Sequence, residues 1–178
     1  TLNYAGVKNV ALLDGGYNKW AREGRPQSKE IVHPKLKKFQ GEMNRNIFVK
    51  KDYLLKNMDN ILLVDVREPS FFAGQKKAEV AKKAGRIPGA VNLPTSKIFE
   101  KDGTFQPRDV LRALAEDVIG KDKDREIITY CDTGTCCPTW RFMLKEVLGY
   151  KRVYLYDGSI QEWTSDPNAP VQLNNITK

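Results

Sequence analysis

Residues 6–20 recur, without a gap, at residues 149–163. Seven of the fifteen aligned positions are identical: Gly6 with Gly149, Lys8 with Lys151, Val10 with Val153, Leu12 with Leu155, Asp14 with Asp157, Gly15 with Gly158 and Trp20 with Trp163. Each copy reads as a short apolar strand, a turn at Asp-Gly and a helix carrying Trp. Solenoid repeats recur every ~20–50 residues, so a spacing this long marks a duplicated domain instead. The second copy closes a full unit, whereas the first stands near the end of its own. Residues 1–28 are therefore expected to be the C-terminal remnant of a first domain, 29–40 a linker and 41–178 a second, catalytic domain. Pro26 and Pro34 interrupt any helix across the junction. The only histidine, His33, lies beside Pro34 and reads as a surface residue. One strand and one helix close no core alone, so an N-terminal fragment of the same protein is expected as the partner that completes the first domain.

The chain has 178 residues, 40% of them hydrophobic and 29% charged. That length buries enough surface to fold without disulfides or a structural metal. No apolar run approaches the ~20 residues of a membrane span. The net charge of +8 favours anionic partners, from small oxyanions upward. The lysines scatter, at Lys35, Lys37, Lys38, Lys76, Lys77, Lys82 and Lys83, with no zinc-finger spacing and no aromatic-plus-basic signature. Nucleic acid is not an expected partner. The compartment stays open between cytoplasm and periplasm.

From residue 48 the pattern alternates. Phe48 to Met58 has a short helical spacing, and Ile61 to Val66 is a continuous apolar run that suits a strand buried on both faces. Residues 70–84 are polar, and 85–93 read as a turn and a short strand. Val110, Leu111, Leu114, Val118 and Ile119 are spaced as a helix that Pro107 opens and Gly120 caps. Glu126 to Tyr130 reads as a second buried strand, Pro138 to Leu148 as a helix, Arg152 to Tyr156 as a strand and Ser159 to Trp163 as the start of a last helix. Strands separated by helices predict an α/β fold, a mostly parallel sheet flanked by helices on both faces.

All three cysteines fall within seven residues, in Cys131-Asp132-Thr133-Gly134-Thr135-Cys136-Cys137. A disulfide framework would spread them along the chain, so this cluster reads as a chemical site. Cys131 ends a predicted strand, where open parallel sheets place their ligands. A tight loop running into a helix turns successive N–H groups inward and adds the positive end of the helix. Both favour thiolate over thiol. Gly134 permits a positive φ at the loop apex. No histidine is available as a paired base, so the loop itself must make the thiolate.

Several pieces in this order resemble the tandem-domain rhodanese family of thiosulfate and mercaptopyruvate sulfurtransferases. They are Leu63-Val64-Asp65-Val66-Arg67, Gly85 to Asn92, Asp102 to Phe105, Tyr130 to Gly134, Leu148-Gly149-Tyr150, Tyr156 to Ser159 and Glu162-Trp163. The opening Leu12 to Gly16 with Trp20 resembles the end of the first domain of such proteins. The resemblance implies a rhodanese-like fold and a sulfane sulfur carried on Cys131 as a persulfide. The backbone N–H groups of Asp132, Thr133, Gly134, Thr135 and Cys136 would hold it. The donor would be a small sulfur-containing anion: thiosulfate, polysulfide or a mercapto acid. The acceptor would be a thiol, a cyanide-like nucleophile or a protein. No cofactor or metal is implied. The alternative is a catalytically idle module used for binding or regulation.

Related phosphatases carry an arginine six residues after the cysteine, and here that position is Cys137, which disfavours their chemistry. Asp65 and Arg67 match positions that support the fold. Arg86, where many members have histidine, reads as structural. Asp132 stands where thiosulfate-preferring members often have a basic residue, which argues against a dianionic donor. Arg141, one turn into the helix, is a candidate to offset that charge, although arginines on helix surfaces usually face solvent. Cys136 and Cys137 have three readings: packing at a helix start, a thiol that resolves a species on Cys131, or a soft-metal ligand. Tyr130, Trp140 and Trp163 read as core aromatics.

Overall fold

The computed structural model describes residues 1–174. They divide into two compact units, residues 1–45 with 99–105, and residues 46–98 with those from 106 onward.

The second unit is built on four parallel strands, β1 (Leu62–Asp65), β2 (Val91–Asn92), β3 (Glu126–Tyr130) and β4 (Arg152–Leu155), in the order β2-β1-β3-β4. β1 pairs with β3 from Leu62–Ile127 to Asp65–Tyr130, and β3 pairs with β4 from Glu126–Arg152 to Thr129–Leu155. Every residue of β1 and β3 is buried, which explains why both read as unbroken apolar runs. The side chains alternate across the sheet. Leu63, Ile128 and Tyr130 join Leu54, Ile87, Tyr156, Ile160 and Trp163 in one core cluster. Leu62, Val64 and Ile127 are buried outside that cluster.

The connecting helices are α2 (Lys51–Asn57), α3 (Pro69–Phe72), α4 (Arg108–Ile119), α5 (Cys137–Phe142) and α6 (Ser159–Ser165). In α4, Leu111, Ala115 and Ile119 are buried at four-residue spacing, and Gly120 caps the end at φ +82°. The order of strand addition reverses between β1 and β3, since β1 leads to one edge of the sheet and β3 to the other. Ligands of open α/β sheets bind beyond the strand ends at that switch point.

Two expectations change. The spacing predicts one helix over residues 138–148, but α5 ends at Phe142 and a π-helical turn follows over Met143–Val147. The Leu148 N–H reaches back five residues to the Met143 carbonyl at 2.9 Å. The widened turn buries Trp140, Met143, Leu144 and Leu148 together.

The second change lies in the first unit. Its helix forms as α1 (Gly16–Arg22), but residues 8–13 are not a strand. Val10, Leu12 and Leu13 are exposed. A strand persists where a neighbour completes its ladder. The second copy has β3 beside it, whereas among the described residues the first unit contains only the isolated bridge between Phe99 and Phe105. Contacts between its two segments join this unit instead: Lys19 pairs with Asp102 at 3.2 Å and the Phe105 N–H donates to Asp14 at 2.8 Å. No helix among the described residues is long and apolar enough to cross a membrane.

Candidate active site

β3 delivers Cys131 to the carboxyl edge of the sheet, where it is 4% exposed. The first turn of α6 holds the start of the loop. The Ile160 N–H donates to the Cys131 carbonyl at 3.1 Å, and the Gln161 N–H to the Asp132 carbonyl at 3.0 Å. At the other end the Thr129 hydroxyl donates to the Cys137 carbonyl at 3.2 Å. Gly134 takes φ +82°, and a Cβ there would lie 2.5 Å from both the carbonyl and Oδ1 of Asp157. The apex thus needs glycine for conformation and for space.

The loop converges on one sulfur. Hydrogen bonding from the Cys137 thiol favours the Cys131 thiolate most, and the N–H groups of Cys136, Cys137 and Thr133 favour it further. Burial opposes them, yet together they lower the Cys131 thiol to about 4. Cys137 is pushed far the other way, first by donating to Cys131 and then by its own burial. Cys136 is exposed and is raised by partial burial and by the charge on Cys131. Among the described residues, no group of three or more His, Cys, Asp or Glu is arranged to hold a metal ion.

This charge state predicts a pH profile. The Cys131 thiolate persists at every pH above about 4 and is lost only as pH falls through that value. An ordinary thiol titrates near ~8.5 and loses reactive anion about tenfold per unit below it. Alkylation of Cys131 by iodoacetamide, followed by peptide mass spectrometry, should therefore stay flat from pH 8 to 5. Cys136 should label only at alkaline pH.

Ser159 was not singled out from the sequence. It is fully buried, and it is the one non-glycine residue with positive φ (+51°) among those described. Its hydroxyl oxygen accepts the Cys131 N–H at 3.1 Å, donates to the Tyr156 carbonyl at 3.0 Å and lies 4.0 Å from the Cys131 sulfur. The internal repeat carried the signal: Ser159 aligns with Gly16, whose φ is +58°. A left-handed L-residue costs roughly 1–2 kcal/mol. The second copy accepts that strain and gains a hydroxyl beneath the cysteine.

Asp65 and Arg67 form a buried bidentate pair, with Arg67 Nη2 2.6 Å from Asp65 Oδ2 and Nε 2.9 Å from Oδ1. Arg67 also donates to the Gly85 carbonyl at 2.8 Å and reaches Asp132 at 3.4 Å. The pair therefore ties β1 to the loop, a link across the switch point. Burial raises the Asp132 carboxyl, and Arg67 partly offsets this.

Two arginines stand differently. Arg86 is buried, donates to the Phe72 carbonyl at 3.2 Å and stacks 4.3 Å above the Phe72 ring. Arg141 is not a surface arginine: it is 8% exposed, its Nε has no hydrogen-bond partner, and burial lowers its guanidinium. It shares the buried face of α5 with Cys137 and Trp140, ahead of the π turn. Tyr130, Trp140 and Trp163 are fully buried, and the Trp140 indole donates to the Pro94 carbonyl at 3.1 Å.

The model of the rhodanese-like domain matches residues 50–166. The chain belongs to the rhodanese-like family. A Mycolicibacterium smegmatis protein provisionally named a thiosulfate sulfurtransferase is 38% identical over 96% of this chain and 64% of its own length. The sulfur carrier protein TtuD of Thermus thermophilus is 36% identical over 94% of this chain and 63% of its own. Among solved structures, an EanB variant holding a cysteine persulfide in a tetrahedral intermediate state with ergothioneine superposes with a TM-score of 0.86. It is 26% identical and covers 96% of this chain and 43% of that one. This rhodanese-like chain thus spans about two thirds of the length of the relatives it matches.

Proposed function

We propose that the chain is the catalytic part of a sulfurtransferase that carries a sulfane sulfur on Cys131 as a persulfide. The observation that carries this reading is Cys131, buried at the end of β3 with the Ser159 hydroxyl 4.0 Å from its sulfur, in a loop that lowers its thiol to about 4. The thiolate attacks the outer sulfur of a donor, forming an S–S bond as the donor's leaving group departs with the electron pair. Negative charge then lies on the terminal sulfur, for which the N–H groups of residues 132–136 are the cradle. An acceptor nucleophile attacks that terminal sulfur, and Cys131 leaves as thiolate. A low thiol pKa makes it a good leaving group. The sulfur-transfer names of two relatives and the persulfide on EanB support the same chemistry.

The donor is a small sulfur-containing anion and the acceptor a thiol, a cyanide-like nucleophile or a protein thiol. Asp132, beside the loop and shared with Arg67, disfavours a dianion. Repulsion of about 1 kcal/mol or more at such range amounts to roughly five- to tenfold. Thiocyanate production from cyanide should therefore rank mercaptopyruvate, a monoanion, above thiosulfate. Asp132→Asn should raise kcat/KM for thiosulfate about tenfold. Equal gains for every donor would remove Asp132 as the filter, and no thiocyanate from any donor would overturn the function.

For the first unit the proposed partner is an N-terminal fragment of the same protein. The exposure of Val10, Leu12 and Leu13, whose counterparts Val153 and Leu155 are buried in β4, supports it.

A further inference from the structure

Five charged residues are buried among those described: Asp65, Arg67, Arg86, Glu126 and Arg141. Four of them are compensated. Asp65 pairs with Arg67, and Glu126 pairs with Arg152 and accepts the Tyr53 hydroxyl. Arg86 has no carboxylate, yet it donates to the Phe72 carbonyl and lies over the Phe72 ring. Arg141 has no such contact. Among the described residues it makes no ion pair and stacks on no ring, and its Nε, shut off from solvent, has no hydrogen-bond partner.

A guanidinium keeps its charge at every physiological pH. An unpaired buried charge is among the costliest arrangements a fold can hold. The helix nevertheless keeps Arg141 in place. With Cys137 and Trp140 it forms the buried face of α5, which packs on β3 and β4. The Trp140 indole, bonded to the Pro94 carbonyl, fixes the rotation of that face. What Arg141 lacks is an anion. Its planar fork of N–H donors matches the paired oxygens of an oxyanion. The chain's net charge of +8 draws such anions to it. The residue is 8% exposed, an opening that admits only a small one.

We propose that Arg141 is the binding residue of a second anion site, which takes a small oxyanion such as a carboxylate, sulfate or phosphate from solution. The anion supplies the missing counter-charge and accepts the N–H groups of the fork. The site stands whether or not Cys131 carries a persulfide. Because α5 begins at Cys137, the last residue of the cysteine loop, an anion on Arg141 also steadies the helix that anchors that loop.

The test follows thermal unfolding of the reduced chain while sodium sulfate replaces sodium chloride at constant ionic strength. At sulfate near ten times its Kd the midpoint should rise by roughly 3–6 °C, and the rise should saturate. Arg141→Met fills similar space without a charge. It should start at a higher midpoint than the parent in chloride and show no saturable rise. Arg141→Lys keeps the charge and loses the fork, so it should bind sulfate at least tenfold more weakly. Calorimetric titration of this second variant carries the same test if the methionine variant does not fold. No saturable rise in the parent overturns the site. A rise that survives in Arg141→Met, or equal affinity in Arg141→Lys, overturns the assignment to the Arg141 fork.

Discussion

Replacing Arg67 by methionine is expected to be the most destabilising single change near the site. Asp65 has no exposure, and its carboxylate spends both oxygens on the Arg67 guanidinium, one of them also accepting the Arg67 N–H at 3.0 Å. Removing the cation leaves a buried carboxylate without its counter-charge, which costs about 3–5 kcal/mol. The Gly85 carbonyl and Asp132 lose a donor as well. Urea unfolding should show this loss in Arg67→Met and recover much of it in the double variant Asp65→Asn/Arg67→Met. An additive double variant would mean that the pair is not coupled and that Arg67 matters through its contacts to residues 85 and 132.

The second large effect is expected from Gly134→Ala. At φ +82° an L side chain costs about 1–2 kcal/mol. Its Cβ would also press into the Asp157 backbone and carboxylate, each 2.5 Å away, and overpacking of this kind costs about 1–3 kcal/mol. The loop relieves such a clash most readily by moving, which turns the N–H groups of Thr133 and Cys136 off the Cys131 sulfur. Stability should fall, and the flat alkylation profile of Cys131 should acquire an inflection at higher pH. A variant that unfolds earlier but keeps the flat profile would separate loop packing from thiolate stabilisation.

What was legible in the sequence were features that act locally. β1 and β3 are continuous apolar runs because parallel strands are covered on both faces, and the strand-loop-helix order around Cys131 needs only neighbouring residues. Other features depend on tertiary context instead. Residues 8–13 have a strand's composition but no strand beside them, so ladder formation overrides propensity. The exposure of Cys136 and the burial of Cys137 follow from the phase at which α5 leaves the loop, which side-by-side cysteines do not reveal. Arg67 and Ser159 reach the loop from 65 and 28 residues away, through strand order and through the β4–α6 turn. Only the repeat, by setting Gly16 against Ser159, carried a hint of the strained backbone there. Arg141 is buried because it shares one face of α5 with Cys137 and Trp140, and an arginine is not a residue type that announces burial.

The central claim is that Cys131 carries the sulfur. The most direct measurement is intact mass of the reduced chain within seconds of exposure to polysulfide or mercaptopyruvate, then again after cyanide. A gain of one sulfur atom on the Cys131 peptide, absent in Cys131→Ser and discharged as thiocyanate, is the predicted result. A gain that survives in Cys131→Ser, or a parent chain with free thiols that takes up no sulfur, would contradict it.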